Sequence, residues 1–208
     1  YRSTFSSSLP RVYLWSDACW CPSNMARPAG LGIVLLMPAY YHEGKYHPCK
    51  WLYAQTNCPD DFLSRFCLPR KQRIGEPEML AAVCAYLTFP AQLKGRQITH
   101  WIDNTGALAS LIKGYARASD LAKIAHAFAM VNIALSCFVW FEYVRSKANI
   151  ADYPSRGDYA LLEELGAVQV PFVLPPPSWW DKPHAWFEAT LLASEQHSQG
   201  AATRSRPT

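Results

Sequence analysis

Hydrophobic positions along the 208-residue chain change period several times, and each change marks an element. "RVYLWSDACW" (11–20) is rich in strand formers and predicts a strand that reaches Asp17 near its end. "CPSNMARPAG" has the Pro, Asn and Gly content of a loop. "LGIVLLMP" (31–38) is a second strand closed by Pro38, "AYYHEGKYHPCK" reads as a turn, and "WLYAQT" (51–56) as a third strand. Three strands with short links suggest an antiparallel meander. A long polar connection, "CPDDFLSRFCLPRKQRIGEP", follows.

The period then becomes helical. Met79, Ala82, Val83 and Tyr86 recur with a helix's spacing in "PEMLAAVCAYLTFPAQL", and Pro77 suits the first turn. "QITHWID" is a fourth strand that stops on Asp103. "NTGALASLIKGY" predicts a short helix with Leu108, Leu111 and Ile112 on one face. Ser119 or Asp120 can cap the next helix, which carries Leu121, Ile124, Ala125, Phe128, Val131 and Leu135. "FVWFEYVRS" (138–146) is strand five, and "KANIADYPSRGDYALLEELGA" is a loop leading into a short helix near 158–165.

The order βββ-α-β-αα-β-α predicts an α/β domain with a mixed sheet, three antiparallel strands and then two more, flanked by helices. It occupies residues 11–166, after a connector at 1–10. A Pro- and Trp-rich extension, 167–208, follows. Within it "LPPPSWWDKP" reads as an extended segment that packs through its two Trp, "HAWFEATLLASEQ" as a helix, and the last ten residues as disordered.

Composition narrows the class. "AFAMVNIALSCFVWFEYV" (127–144) is the one membrane-like stretch, but Asn132, Ser136 and Glu142 interrupt it. A helix running into a buried strand explains it better than a membrane span. The seven cysteines are odd in number and include no CxxC, which fits reduced thiols and an intracellular site, cytoplasmic or nuclear. The Ser-rich start is no signal peptide, and a chain that opens on Tyr reads as a piece of a longer polypeptide. Twenty basic residues against sixteen acidic ones, formally +4, fit a polyanionic partner.

Four acids stand out by position. Asp17 is near the end of strand one, Glu78 is in the first turn of the first long helix, Asp103 ends strand four, and Asp152 follows strand five in "NIADYPSR". Any one of them alone reads as a cap or turn former. Together they change that reading. If strands one and four are neighbours, Asp17 and Asp103 lie side by side and repel unless cations hold them. Hard divalent ions with oxygen ligands do so, and a pair of them can cleave phosphodiesters.

The ordered set resembles the ribonuclease H domain of reverse-transcribing elements. "WSDACW" is similar to the family's first-strand motif, "PEMLAAVCAYL" to its Glu-x-x-Ala-Ala helix, and "HWIDNTGAL" to its strand ending in Asp. "ANIADYPSR" is similar to the N-x-x-A-D-x-x-S-R segment of retroelement members, and with "LLEELGA" it resembles the tyrosine-recombinase (DIRS-like) class. The resemblance covers about residues 11–166. It implies a ribonuclease H-like fold with a five-stranded mixed sheet and parallel later strands. It implies two Mg²⁺ ions, with Mn²⁺ as substitute, held by Asp17, Glu78, Asp103 and Asp152. It implies cleavage of the RNA strand of an RNA–DNA hybrid, beside a reverse transcriptase domain in one polyprotein. Glu76 is the rival to Glu78 at the helix start. Many family members carry a His in the loop before the last acid. Here that loop is "VRSKAN", which leaves Arg145 and Lys147 as candidates to act there.

Other residues fit a nucleic-acid partner and have plainer readings too. Arg70, Lys71 and Arg73 precede the Glu78 helix and could meet phosphates, or form a solvated basic loop. Asn104 could donate to a ribose 2′-OH, or cap a helix. Gly30 and Gly32 could let a nucleic-acid strand approach, or form a turn. Trp15 and Trp101 read as core. Two further functions remain open at this point: an inactive connection module of the same fold, and a resolvase-like polynucleotidyl transferase.

Overall fold

A computed structural model describes residues 9–20, 29–67 and 74–203, with side chains through residue 195. The strands are β1 (Val12–Trp20), β2 (Ala29–Met37), β3 (Tyr40–His42), β4 (Lys45–His47), β5 (Lys50–Asn57), β6 (Gln97–Ile102), β7 (Phe138–Tyr143) and β8 (Val168–Gln169). The main sheet runs β7-β6-β1-β2-β5-β8. β1, β2 and β5 are antiparallel in sequence, whereas β6 pairs parallel with β1 and β7 parallel with β6. This is the mixed α/β architecture the resemblance implies, with a sixth, two-residue strand, β8, laid parallel to β5.

The helices are α1 (Asp60–Phe62), α2 (Gly75–Thr88), α3 (Pro90–Leu93), α4 (Thr105–Lys113), α5 (Ser119–Leu135), α6 (Asp152–Arg156), α7 (Ala160–Glu164) and α8 (Pro183–Thr203). The helix expected across 77–93 divides at Phe89, whose φ −116° and ψ 40° are non-helical. Pro90 follows, and a residue before proline is driven out of the α region.

Strand alternation sorts the two faces of the sheet. Val12, Leu14 and Ala18 of β1 and Ile33 and Leu35 of β2 join the main core with α2 and α5. Nearly all of α2 is enclosed, from Glu76 to Leu87, so it is a central helix rather than an amphipathic surface one. The other face carries a smaller cluster of Val34, Tyr53, Ala151 and Leu162, with Trp15 and Trp51 against it. There Tyr13, Trp101, Trp15 and Trp51 stack in sequence, with Trp15 and Trp101 centroids 4.6 Å apart. The stretch 127–144 divides as expected, into α5 and then β7. Among the described residues, no helix is long and apolar enough to cross a membrane.

Three local readings differ from the sequence pattern. The turn at 39–50 contains a β3–β4 hairpin, closed by Glu43 and Gly44, both at positive φ. The polar connection after β5 contains α1 and a π-helical turn, Leu63–Cys67, and buries Phe62, Leu63, Phe66 and Cys67. Gly30 and Gly32 lie inside β2 rather than in a turn before it.

The extension packs on the main core. Trp180 and Trp186 belong to that cluster, with centroids 4.8 Å apart, and α8 lies against α5 and α3. Arg65 Nη1 and Nη2 donate to Asp181 Oδ2 and Oδ1 at 3.1 and 2.5 Å. The α8 backbone runs to Thr203, beyond the point where composition suggested disorder.

Candidate active site

β1 and β6 are parallel neighbours, so their carboxyl ends fall together. Asp17 on β1 and Asp103, one residue past β6, therefore meet at one end of the sheet. The N-terminus of α2 points at the same place and supplies Glu78. Asp17, Glu78 and Asp103 each offer a carboxylate oxygen within 4.8 Å of the others. Asp17 is 3% and Glu78 4% exposed, and Asp103 is half-buried.

Such a cluster is electrostatically expensive. Burial, then the charges of Asp103 and Asp152, raise the Asp17 pKa to about 7, although a Ser155 hydrogen bond works the other way. Burial, then Asp17 and Asp103, push Glu78 well above the usual carboxylate range, against a hydrogen bond from the Ala18 backbone. Among the described residues, Glu78 Oε2 and Asp103 Oδ1 are buried without a hydrogen-bond partner. Buried acceptors of this kind need a counterpart. A divalent cation supplies one, and an all-oxygen donor set suits hard ions such as Mg²⁺ or Mn²⁺. The residues present therefore fit such an ion.

The loop and helix after β7 hold Asp17 in place. Ser155 Oγ lies 2.5 Å from Asp17 Oδ2 and 2.9 Å from the Asp152 carbonyl oxygen. Asn149 Nδ2 donates to the Ser16 carbonyl at 3.1 Å and reaches Asp17 Oδ1 at 3.4 Å. Asp152, at the start of α6, lies outside the three-carboxylate group. Its Oδ1 accepts from Arg156 Nε at 2.7 Å. It is near enough for its charge to raise the proton affinities of Asp17 and Glu78.

Asn104 caps α4. Its Oδ1 accepts from the Gly106 and Ala107 amides, each at 3.0 Å, and its Nδ2 carries the remaining donors. Arg145 and Lys147 are exposed around the turn that follows β7. Arg70, Lys71 and Arg73 lie outside the described residues. Glu76 is enclosed as well, but it sits outside the three-carboxylate group and lines a groove of about 980 Å³. Asn104, Ser110, Lys113, Tyr115 and Arg117 line the same groove. Sequence reasoning missed Lys113 and Arg117, because isolated cations at a helix end carry no distinctive spacing. It also missed Asn149 and Ser155 as partners of Asp17, although the quoted segment "ANIADYPSR" contains both.

No protein-family model and no curated protein sequence matches the chain. Among solved structures it is similar to RNase H1 from the halophilic archaeon Halobacterium salinarum NRC-1, at TM-score 0.44 and 16% identity, over 74% of this chain and 99% of that one. It is similar to LC11-RNase H1 in complex with an RNA/DNA hybrid, at TM-score 0.43 and 13% identity, over 73% and 99%. It is also similar to the prototype foamy virus protease–reverse transcriptase, at TM-score 0.37 and 12% identity, over 72% of this chain and 21% of that one.

Proposed function

We propose that the chain is a metal-dependent endoribonuclease that cuts the RNA strand of RNA–DNA hybrids. The observation that carries this reading is the meeting of Asp17, Glu78 and Asp103 from three separate segments, with two buried carboxylate oxygens that have no hydrogen-bond partner among the described residues. Asp17, Glu78 and Asp103 would hold one hard cation, and Asp152 would join Asp17 to hold a second. A bound divalent cation supplies Lewis-acid stabilisation of a phosphate and a water acidified toward neutral pH. Ser155 and Asn149 keep the Asp17 carboxylate oriented throughout.

The surroundings support this substrate class. The groove beside the cluster carries Lys113 and Arg117, which would meet phosphate oxygens and set the register of a duplex. Asn104, next to Asp103 in sequence, lines this groove, and its Nδ2 would donate to a ribose 2′-OH, the group that distinguishes RNA from DNA. Arg70, Lys71, Arg73, Arg145 and Lys147 would add to the phosphate contacts. The sequence motifs support a place in a retroelement polyprotein of the DIRS-like class, next to a reverse transcriptase domain, with Mg²⁺ as the working ion.

The test is cleavage of an end-labelled RNA–DNA hybrid in Mg²⁺, with double-stranded DNA and double-stranded RNA as controls. Cutting confined to the RNA of the hybrid is expected. A protein that binds Mn²⁺ and hybrid but never cuts would instead be a connection module.

A further inference from the structure

Beneath the carboxylates lies a second polar cluster that the chemistry above does not use. Ser16 on β1, Tyr86 on α2 and His100 on β6 are completely enclosed. His100 Nε2 lies 2.9 Å from Ser16 Oγ, and Nδ1 lies 3.2 Å from the Tyr86 hydroxyl. Burial pushes the His100 pKa down to about 3, so the ring is neutral, one nitrogen donating and the other accepting. The surroundings are apolar: Phe141 lies 5.4 Å from the His100 ring and Phe128 5.2 Å from Tyr86, centroid to centroid. Hydrocarbon of the same shape would fill this space at little or no cost in stability.

The arrangement has a geometric consequence instead. Its three members lie on β1, α2 and β6, the elements that carry Asp17 and Glu78 and lead directly into Asp103. Ser16 adjoins Asp17, His100 stands shortly before Asp103, and Tyr86 lies roughly two helical turns along α2 from Glu78. The Ser16 carbonyl accepts from Asn149, which also reaches Asp17. Apolar packing is non-directional and tolerates small slides and rotations. Hydrogen bonds of this length do not. Without a cation, any repulsion between ionised carboxylates of the cluster would act to separate α2 from β1 and β6.

We propose that Ser16, His100 and Tyr86 form a positioning network. It locks α2 against β1 and β6, and so holds Glu78, Asp17 and Asp103 at cation-binding spacing before the cation arrives. This inference rests on reading the carboxylates as a cation site.

The experiment compares the wild-type chain with Tyr86→Phe, and with a triple variant, Ser16→Ala, His100→Leu and Tyr86→Phe, which removes every polar side-chain group of the network. Melting in chelator reports the fold, and calorimetric titration with Mn²⁺ reports the site. The triple variant should melt near the wild type, yet bind Mn²⁺ about tenfold more weakly, the scale found for residues that orient metal ligands. Tyr86→Phe should shift affinity the same way by less. A folded triple variant with wild-type Mn²⁺ affinity overturns the proposal. If the triple variant does not fold, wild-type affinity in Tyr86→Phe overturns it. A wild-type chain that binds no Mn²⁺ would instead remove the cation-site reading beneath it.

Discussion

Gly32 on β2 and Ser155 on α6 are in backbone contact. A Cβ on Gly32 would lie 2.5 Å from the Ser155 nitrogen and 2.5 Å from the Ala151 carbonyl oxygen. Gly32 is also the register partner of Asp17 across β1 and β2. The missing side chain therefore lets α6 settle on the sheet, and that seat brings the Ser155 hydroxyl to Asp17. Gly32→Ala should force the α6 backbone outward, costing about 1–3 kcal/mol as an overpacked site. Ser155→Ala keeps the backbone seat and removes the hydroxyl shared by Asp17 Oδ2 and the Asp152 carbonyl, at about 1 kcal/mol. Urea unfolding of both variants checks the order. A Gly32→Ala chain as stable as the wild type would mean that α6 has room to spare.

The raised proton affinity of Asp17 sets a pH dependence. Its folded pKa of about 7 lies above the 3.8 of a free aspartate, so the folded chain binds a proton that the unfolded chain releases. The stability this confers is complete below the unfolded value and is lost as pH rises through about 7. Glu78 acts in the same direction. Buried His100 opposes them at lower pH, because its folded pKa lies near 3, below the 6.5 of a free histidine. Comparison with Asp17→Asn cancels the His100 contribution. In chelator, wild type should lose stability relative to Asp17→Asn between about pH 4 and 7, by a few kcal/mol. Parallel denaturation curves at each pH measure it, and a constant difference across that window would contradict it.

The same carboxylates predict how metal and protons trade. A cation displaces protons from acids held above their usual range, so Mn²⁺ binding at pH 6 should release protons. Calorimetry in two buffers of different ionisation enthalpy counts them. Mn²⁺ should also raise the melting temperature by mass action, with a smaller rise in Asp103→Asn. Without metal, Asp103→Asn should be at least as stable as the wild type, since a repelling charge is gone.

Catalysis separates the two candidate glutamates. Asp103→Asn and Glu78→Gln should each abolish hybrid cleavage in a folded protein, because the amide keeps the shape but not the charge that holds a hard cation. Glu76→Gln should lose far less, since Glu76 lies outside the three-carboxylate group. Cleavage rates for the three variants, each checked for folding by circular dichroism, decide it. Full activity in Asp103→Asn would remove the site.

Much of the frame was legible because its signals are local. Apolar runs that stop on Asp17 and Asp103, and a helix that opens at Glu78, are visible one element at a time. Parallel pairing of β1 and β6 then follows from the helical connection between the third and fourth long strands. Other features depend on encounters distant in sequence. Ser155 meets Asp17 across 138 positions, and nothing local marks Gly32 as the floor of that contact. β3, β4 and β8 are two or three residues long, too short to show a period. The connection after β5 reads as polar because its charged residues are mixed with Pro, Ser, Gln and Gly, and its apolar residues keep no sustained period. Even so, Phe62 and Phe66 pack 4.7 Å apart, centroid to centroid, on one side of a single helical turn.

That turn is the seat for the C-terminal extension. Trp180 lies 5.5 Å from Phe62 and 4.9 Å from Phe66, centroid to centroid. Trp186, 1% exposed, donates its Nε1 proton to the Trp179 carbonyl at 3.1 Å. Farther along α8, Lys94 Nζ donates to Ser194 Oγ at 3.1 Å. The extension up to residue 195 thus fills core volume beside α5, and losing its largest side chain leaves a cavity. Trp186→Ala should cost about 3–5 kcal/mol, the range for a buried aromatic cut to a methyl. Arg65→Ala removes an exposed ion pair with Asp181 and should cost under about 1 kcal/mol. A chain ending at residue 195 keeps each of these contacts and should melt as the full chain does. Thermal melts of the three variants, with hybrid cleavage measured below each transition, test the extension. Unfolding on loss of 196–208 alone would place an essential contact after residue 195.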